Sequence, residues 1–184
     1  MTNADQPFRK NLYLAGFMGT GKSALGRHLA ERWRRPFYDS DACIEQKAGM
    51  SIPDLFAKQG EAAFRAMEKD FIEDGHPAEG CVVSLGGGLV VQPGMIDRLK
   101  AKGVLVCLFA SPETILQRTR GNSNRPLLNV PDPEKHIRDL MAQREPYYLQ
   151  AGTGIVTDGR TMLELLTQIE RIYRRHARES GIVG

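Results

Sequence analysis

Five apolar runs punctuate the chain, at Leu12–Ala15, Phe37–Asp39, Cys81–Leu85, Gly103–Ala110 and Gly154–Thr157. Several are continuous rather than alternating, as expected of strands buried on both faces. Helical patterns lie between them, which predicts βα repeats and a parallel sheet covered on both sides. The expected fold is α/β, a three-layer α/β/α arrangement on a five-stranded parallel sheet. The clearest helix is the last, where Met162, Leu165, Leu166, Ile169, Ile172 and Tyr173 share one face and Thr161 with Glu164 forms a capping box. Ser111-Pro112 and Asp132-Pro133 read as N-caps with proline at the first helical position. Ser51-Ile52-Pro53-Asp54 similarly opens a helix through Phe71. No internal repeat, low-complexity segment or linker divides the chain, so one domain is expected over 10–184 behind a polar, frayed tail at 1–9.

Two positions break the scaffold pattern by being glycine-rich. The first is Gly16-Phe17-Met18-Gly19-Thr20-Gly21-Lys22-Ser23, which follows the first apolar run and opens a helix reaching about Trp33. This is the G-x-x-x-x-G-K-[ST] phosphate loop in its required strand–loop–helix setting. The loop turns tightly and closes backbone N–H groups around phosphate oxygens, and the helix N-terminus points at the same anion. Lys22 would reach the β- and γ-phosphates, and the Ser23 hydroxyl would ligate Mg²⁺. Gly19, Thr20, Gly21, Lys22, Ser23 and Ala24 are therefore expected along a bound ATP. A glycine turn with a snorkelling lysine is the plain alternative, and motif and context together argue against it.

The second is Gly86-Gly87-Gly88, either a loose turn or a place where backbone N–H groups approach a ligand closely. In open α/β sheets ligands gather beyond the carboxyl ends of the strands, where the phosphate loop, Asp39, Asp41, the triplet and Asp158–Thr161 all fall. Asp39 and Asp41, two apart on an extended chain, would project to one side and face that cleft. Helix capping is their alternative role, but Ala42, Cys43 and Ile44 offer no capping-box partner. Arg65 has Glu61 and Glu68 at i−4 and i+3, so a surface ion pair competes with a ligand-binding role. Arg144 beside Glu145 is equally open. Two arginines would suit a substrate carboxylate, which a guanidinium fork matches bidentately. Between two helical segments lies a polar stretch, 120–131, longer than the usual ~2–8 residues of such connections. Its Arg120 and Arg125, with Arg118 beside it, could reach phosphates if it closes, or simply solvate a loop.

Composition narrows the classes. A formal net charge of +3 over 184 residues does not by itself imply nucleic-acid binding. The basic stretch from Arg171 to Arg178 fits cations at the end of a last helix better than an RNA- or membrane-binding patch. No apolar run approaches the ~18–20 residues that span a membrane, and no secretory leader is expected from the polar start. Cys43, Cys81 and Cys107 are odd in number and widely spaced, and Cys81 and Cys107 lie in strand-like runs. Buried thiols in a reducing, cytoplasmic setting are expected.

Taken in order, the motifs resemble the shikimate kinase family over nearly the whole chain. The phosphate loop is followed by Asp39-Ser40-Asp41 with Ile44-Glu45 and Gly49-Met50-Ser51-Ile52. Then come Gly60-Glu61-x-x-Phe64-Arg65-x-x-Glu68, Ser84-Leu85-Gly86-Gly87-Gly88, Asn124-Arg125-Pro126-Leu127-Leu128 and Arg144-x-x-Tyr147-Tyr148. The resemblance implies a fold like the nucleoside monophosphate kinases with a mobile lid at about 120–131. It implies transfer of the ATP γ-phosphate to the 3-hydroxyl of shikimate, with Mg²⁺. On it, Asp41 meets the reacting diol as base or orienting group, and Lys22 and the lid residue Arg125 act on the phosphates. Arg65, Arg144 and the Gly87 backbone hold shikimate, Ser23 and Asp39 place Mg²⁺, and Arg118 and Arg160 border the adenine. ATP and shikimate are then the expected partners of a cytoplasmic monomer, with neither nucleic acid nor membrane. Two departures stand out: Ala24 where many relatives carry Thr, and an adenine loop, Asp158-Gly159-Arg160-Thr161, without proline. A gluconate or nucleoside monophosphate kinase would share loop, sheet and lid without the two-arginine clamp. A nucleotide-dependent switch would have little use for the Asp pair.

Overall fold

The computed structural model describes residues 9–119 and 132–179, the side chains of 178 and 179 excepted. The five expected strands form, as β1 (Asn11–Gly16), β2 (Phe37–Asp39), β3 (Val82–Ser84), β4 (Gly103–Phe109) and β5 (Gly154–Val156). They make one sheet in the order β2-β3-β1-β4-β5, every pair parallel. Register decides where the chemistry can gather. Asp39 pairs with Ser84 and Ser84 with Leu14, so the carboxyl ends of β2, β3 and β1 finish nearly level. Their following loops emerge side by side.

Alternation along each strand sends side chains into two separate cores. Leu12, Leu14, Val82, Val104, Val106 and Leu108 pack with Leu25 and Leu29 of α1 (Lys22–Trp33) and with Leu165, Leu166 and Ile169 of α7 (Met162–Glu179). Tyr13, Ala15, Val83, Leu105 and Cys107 face the other way, onto the remaining helices. These are α2 (Ser40–Ala48), α3 (Ile52–Asp74), α4 (Met95–Lys102), α5 (Pro112–Thr119) and α6 (Pro133–Gln150). This is the expected three-layer arrangement. Leu12 and Leu14 are completely buried, and truncating either to alanine would cost about 2–5 kcal/mol.

The helix starts agree with their sequence signals. Ser51 Oγ accepts from the Asp54 N–H at 3.3 Å, Asp132 Oδ1 from Lys135 at 3.0 Å, and Ser111 Oγ from Thr114 at 3.2 Å. Thr161 and Glu164 exchange both bonds of a capping box. The α3 helix runs past Phe71 to Asp74 and bends at Gly60, whose φ of 80° no ordinary helical residue adopts. Two helices carry little advance signal: α2 buries only Ser40 and Ile44, and α4 is just two turns, closed by Gly94 and Gly103.

Cys81 and Cys107 are fully buried, and burial pushes their thiols up to about 11 and about 12. Cys81 is not in a purely apolar place: its Sγ and N–H both donate to Asn11 Oδ1, at 3.1 and 2.9 Å. Among the described residues no helix is long and apolar enough to cross a membrane. The expected lid, with Arg120 and Arg125, and nearly all of the expected tail lie outside the described residues.

Candidate active site

The phosphate loop joins the buried β1 to α1. Gly21, at the N-cap of α1, has φ 96° and supplies no side-chain cap, so no side chain competes for the first N–H groups of the helix. Thr20 is buried and its hydroxyl donates to the Phe17 carbonyl at 2.8 Å, so it shapes the loop from within. Lys22 Nζ folds over the loop and donates to the Gly16 and Phe17 carbonyls, both at 2.9 Å. Ala24 is exposed one residue past Ser23.

Ser23 Oγ donates to Asp39 Oδ2 at 2.7 Å and lies 3.1 Å from Ser84 Oγ. Asp39 occupies the N-cap position of α2 yet makes no capping bond there. Its carboxylate is turned to Ser23 instead, so capping does not account for it. Ser23 and Asp39 present hard oxygen donors beside the phosphate loop, the chemistry that Mg²⁺ prefers. That ion is commonly held by one or two protein oxygens, with water and phosphates completing its shell, so these residues fit it.

Asp41 reaches the site by a different route from the one its spacing suggested. It sits in the first turn of α2, not on an extended strand. The helix begins one residue earlier, at Ser40, which is fully buried and accepts the Gly86 N–H on its Oγ at 2.8 Å, tying α2 to the glycine triplet. A methyl group at Gly86 would collide with Asp41 Oδ1, so the carboxylate lies directly against the triplet backbone. Burial, and then the neighbouring Asp39, raise the Asp41 carboxyl above its ordinary value, with Lys22 opposing. A carboxylate so placed is a stronger proton acceptor than one in water.

Arg65 makes both ion pairs its spacing offered, to Glu61 Oε1 at 2.9 Å and Glu68 Oε2 at 2.7 Å. It is nonetheless no ordinary surface residue. Its side chain is 28 % exposed, and a methyl group on Gly88 would stand 2.8 Å from Nη1. Glu68 is the residue the sequence reading passed over, treating it only as an ion-pair partner. It is 1 % exposed and also accepts from Gln92 Nε2 at 2.6 Å. Burial pushes its carboxyl up to about 7 against the pull of Arg65, with Asp41 adding to the rise. Arg144, from α6, lies over the Phe17 ring at 5.7 Å and beside Gly87. Tyr148, one turn on, donates to the Gly87 carbonyl at 2.7 Å. Ser84 and Tyr148 were thus legible only as members of motifs, not by their own chemistry.

The structure therefore brings Asp41, Arg65 and Arg144 together along the glycine triplet, and Lys22, Ser23 and Asp39 together beside it at the phosphate loop. Arg118 reaches the phosphate loop from α5: Nη1 donates to the Gly19 carbonyl at 3.2 Å and to Thr157 Oγ1 at 2.9 Å. Arg160 does not join this group by its bonding, because Nη1 donates to Gln168 Oε1 and draws the side chain along α7.

The shikimate kinase family model matches residues 18–174. The chain belongs to the shikimate kinase family. A shikimate kinase from Thermus thermophilus is 44% identical over 169 residues, 91% of this chain and 92% of the relative. Another, from Caldanaerobacter subterraneus subsp. tengcongensis, is 40% identical over 164 residues, 89% of this chain and 96% of the relative. Among solved structures, a shikimate kinase from Acinetobacter baumannii in complex with shikimate has a TM-score of 0.83 at 38% identity, covering 95% of this chain and 96% of that one. A gluconokinase from Sinorhizobium meliloti shares the fold alone, at a TM-score of 0.57 and 16% identity over 94% of this chain and 95% of that one.

Proposed function

We propose that the chain transfers the γ-phosphate of ATP to the 3-hydroxyl of shikimate, giving shikimate 3-phosphate and ADP. One observation carries the assignment: a half-buried carboxylate, Asp41, and two guanidinium groups, Arg65 and Arg144, converge on the glycine triplet next to Lys22. A ring acid with a carboxylate at one side and a diol at the other fits that set of charges. Arg65 and Arg144 hold the carboxylate, assisted by the Gly87 backbone, and Asp41 faces the diol. Asp41 takes the hydroxyl proton as the oxygen lone pair forms its bond to the γ-phosphorus, and the bond to the β,γ-bridging oxygen breaks to release ADP. Gly19, Thr20, Gly21 and Ala24 line the phosphate side. Lys22 and Arg125, the latter outside the described residues, carry charge to the transferring phosphoryl group.

Ser23, with Asp39 behind it, would hold Mg²⁺, which supplies charge neutralisation of the phosphate oxygens. Arg118 and the loop bearing Arg160 border the adenine. A reducing, cytoplasmic setting is part of the proposal, supported by three unpaired cysteine thiols, as is a monomer, which sedimentation would test. The decisive experiment compares turnover with shikimate, gluconate and nucleoside monophosphates. ADP release dependent on shikimate alone is expected. Preference for gluconate would overturn the assignment, and hydrolysis indifferent to all three would point to a nucleotide switch.

A further inference from the structure

The loop that follows β5 is tied to both ends of α5. Asp158 Oδ1 accepts from Ser111 Oγ and Thr114 Oγ1, both at 2.6 Å, and from the Ser111 N–H at 2.9 Å. Its Oδ2 lies 3.1 Å from the same N–H. Ser111 and Thr114 belong to the start of α5, and Arg118 stands in its last turn. There Arg118 holds the Thr157 hydroxyl at 2.9 Å, the Thr157 carbonyl at 3.2 Å and the Gly19 carbonyl of the phosphate loop at 3.2 Å. The middle and the end of α5 rest on that loop as well, since a methyl group on Gly19 would stand 3.5 Å from Ile115 and 3.1 Å from Thr119.

An eight-residue helix has little stability of its own, so its orientation is set by such tethers. It is also a rigid lever about 12 Å long, and a tilt of about 10° at one end displaces the other by about 2 Å. That is enough to break the Arg118 bonds. The cap of α5 needs only Ser111, whose hydroxyl already accepts from Thr114. The Asp158 carboxylate adds a second, cross-chain anchor at the same point. Burial tends to raise this carboxyl, but the bonds from Ser111 and Thr114 outweigh it and hold the group below its ordinary value. It is therefore an acceptor at working pH.

We infer that Asp158 is a positioning residue for the nucleotide site: through Ser111 and Thr114 it fixes the angle of α5, and so the place of Arg118 above the phosphate loop. The inference rests on the nucleotide half of the proposed function, in which Arg118 borders the bound nucleotide. It is tested by titrating ADP into the protein by calorimetry, without shikimate, for wild type, Asp158→Ala, Arg118→Ala and the double variant. Asp158→Ala should weaken ADP binding about 5–30-fold, as loss of an organising charged hydrogen-bond set does, while shikimate affinity stays within about two-fold. The double variant should bind ADP no worse than Arg118→Ala, because both act through one group. Ser111→Ala, which keeps the backbone bond to Asp158, should show a smaller loss in the same direction and serves where Asp158→Ala does not fold. Additive losses in the double variant, or equal losses for ADP and shikimate, would reduce Asp158 to a general stabiliser and overturn the inference. A wild-type protein that binds ADP but leaves shikimate unphosphorylated would overturn the proposed function and leave this comparison readable.

Discussion

Glu68 should make the protein less stable as pH rises, and replacing it with glutamine should remove that dependence. The carboxyl is almost fully buried and raised from 4.5 to about 7 despite the Arg65 bond. Between those values the folded chain holds a proton that the unfolded chain has released. Stability from this group is thus complete below pH 4.5 and is lost as pH passes through 7. The full difference is about 3 kcal/mol at 1.36 kcal/mol per pH unit, and about 2–3 kcal/mol of it falls between about pH 5 and pH 8. Physically, ionising Glu68 costs more in lost hydration than the Arg65 pair returns, a common balance for buried ion pairs. Glutamine keeps an oxygen for Arg65 and cannot ionise. Urea unfolding at the two pH values for both proteins isolates the effect, since the contributions of other groups largely cancel in the difference. For a chain of this size about 2–3 kcal/mol corresponds to roughly 4–12 °C in melting temperature. Parallel pH profiles for wild type and Glu68→Gln, or a wild type that gains stability relative to Glu68→Gln on going to pH 8, would refute the reasoning.

Four further outcomes concern catalysis and substrate binding. Asp41→Asn should lower kcat by about 10²–10⁴ with little change in melting temperature, and a purely thermal effect would mean the carboxylate only braces α2. Asp39→Asn, which alters the partner of Ser23, should instead raise the Mg²⁺ concentration needed for half-maximal rate. Lys22→Ala should stay folded and lose about 10²–10⁴ in rate, measured beside an EDTA control; wild-type turnover would remove Lys22 from the phosphates. Arg144→Lys should raise the KM for shikimate by about 10-fold or more, because an ammonium lacks the fork, whereas an unchanged KM would return Arg144 to a packing role over Phe17.

The sheet was legible because its strands are apolar on both sides: β2 matches its expected span, and the others differ by one or two residues at their ends. The capped helices were equally plain, since Ser51, Ser111, Asp132 and Thr161 each make the bond their residue type advertises. What escaped was local geometry set by distant partners. Asp41 looked extended because nothing in Ser40-Asp41-Ala42 announces a helix, and the Gly86 N–H that fixes Ser40 is 46 positions away. Glu68 looked like half of a surface pair because spacing on a helix says which residues are neighbours, not how deeply the pair lies. The bond from Arg160 to Gln168 was equally hidden, because its partner sits on the next helix.

Central β1 is the strand with the most to wait for. Its six residues are buried throughout, yet both of its neighbours, β3 and β4, are encoded far downstream. A ribosome moving at about 5–20 residues per second exposes Leu12 and Leu14 on the order of ten seconds before Val104 has been made. Until Val82 of β3 is made the strand has two open edges, and until β4 follows it keeps one, a standing invitation to pair with another nascent chain. Sheets closed by such distant partners also fold slowly. The same threading makes truncation unforgiving: the bond from Arg118 to Gly19 spans 99 positions, so a chain released early has neither a finished sheet nor a place to hold a nucleotide.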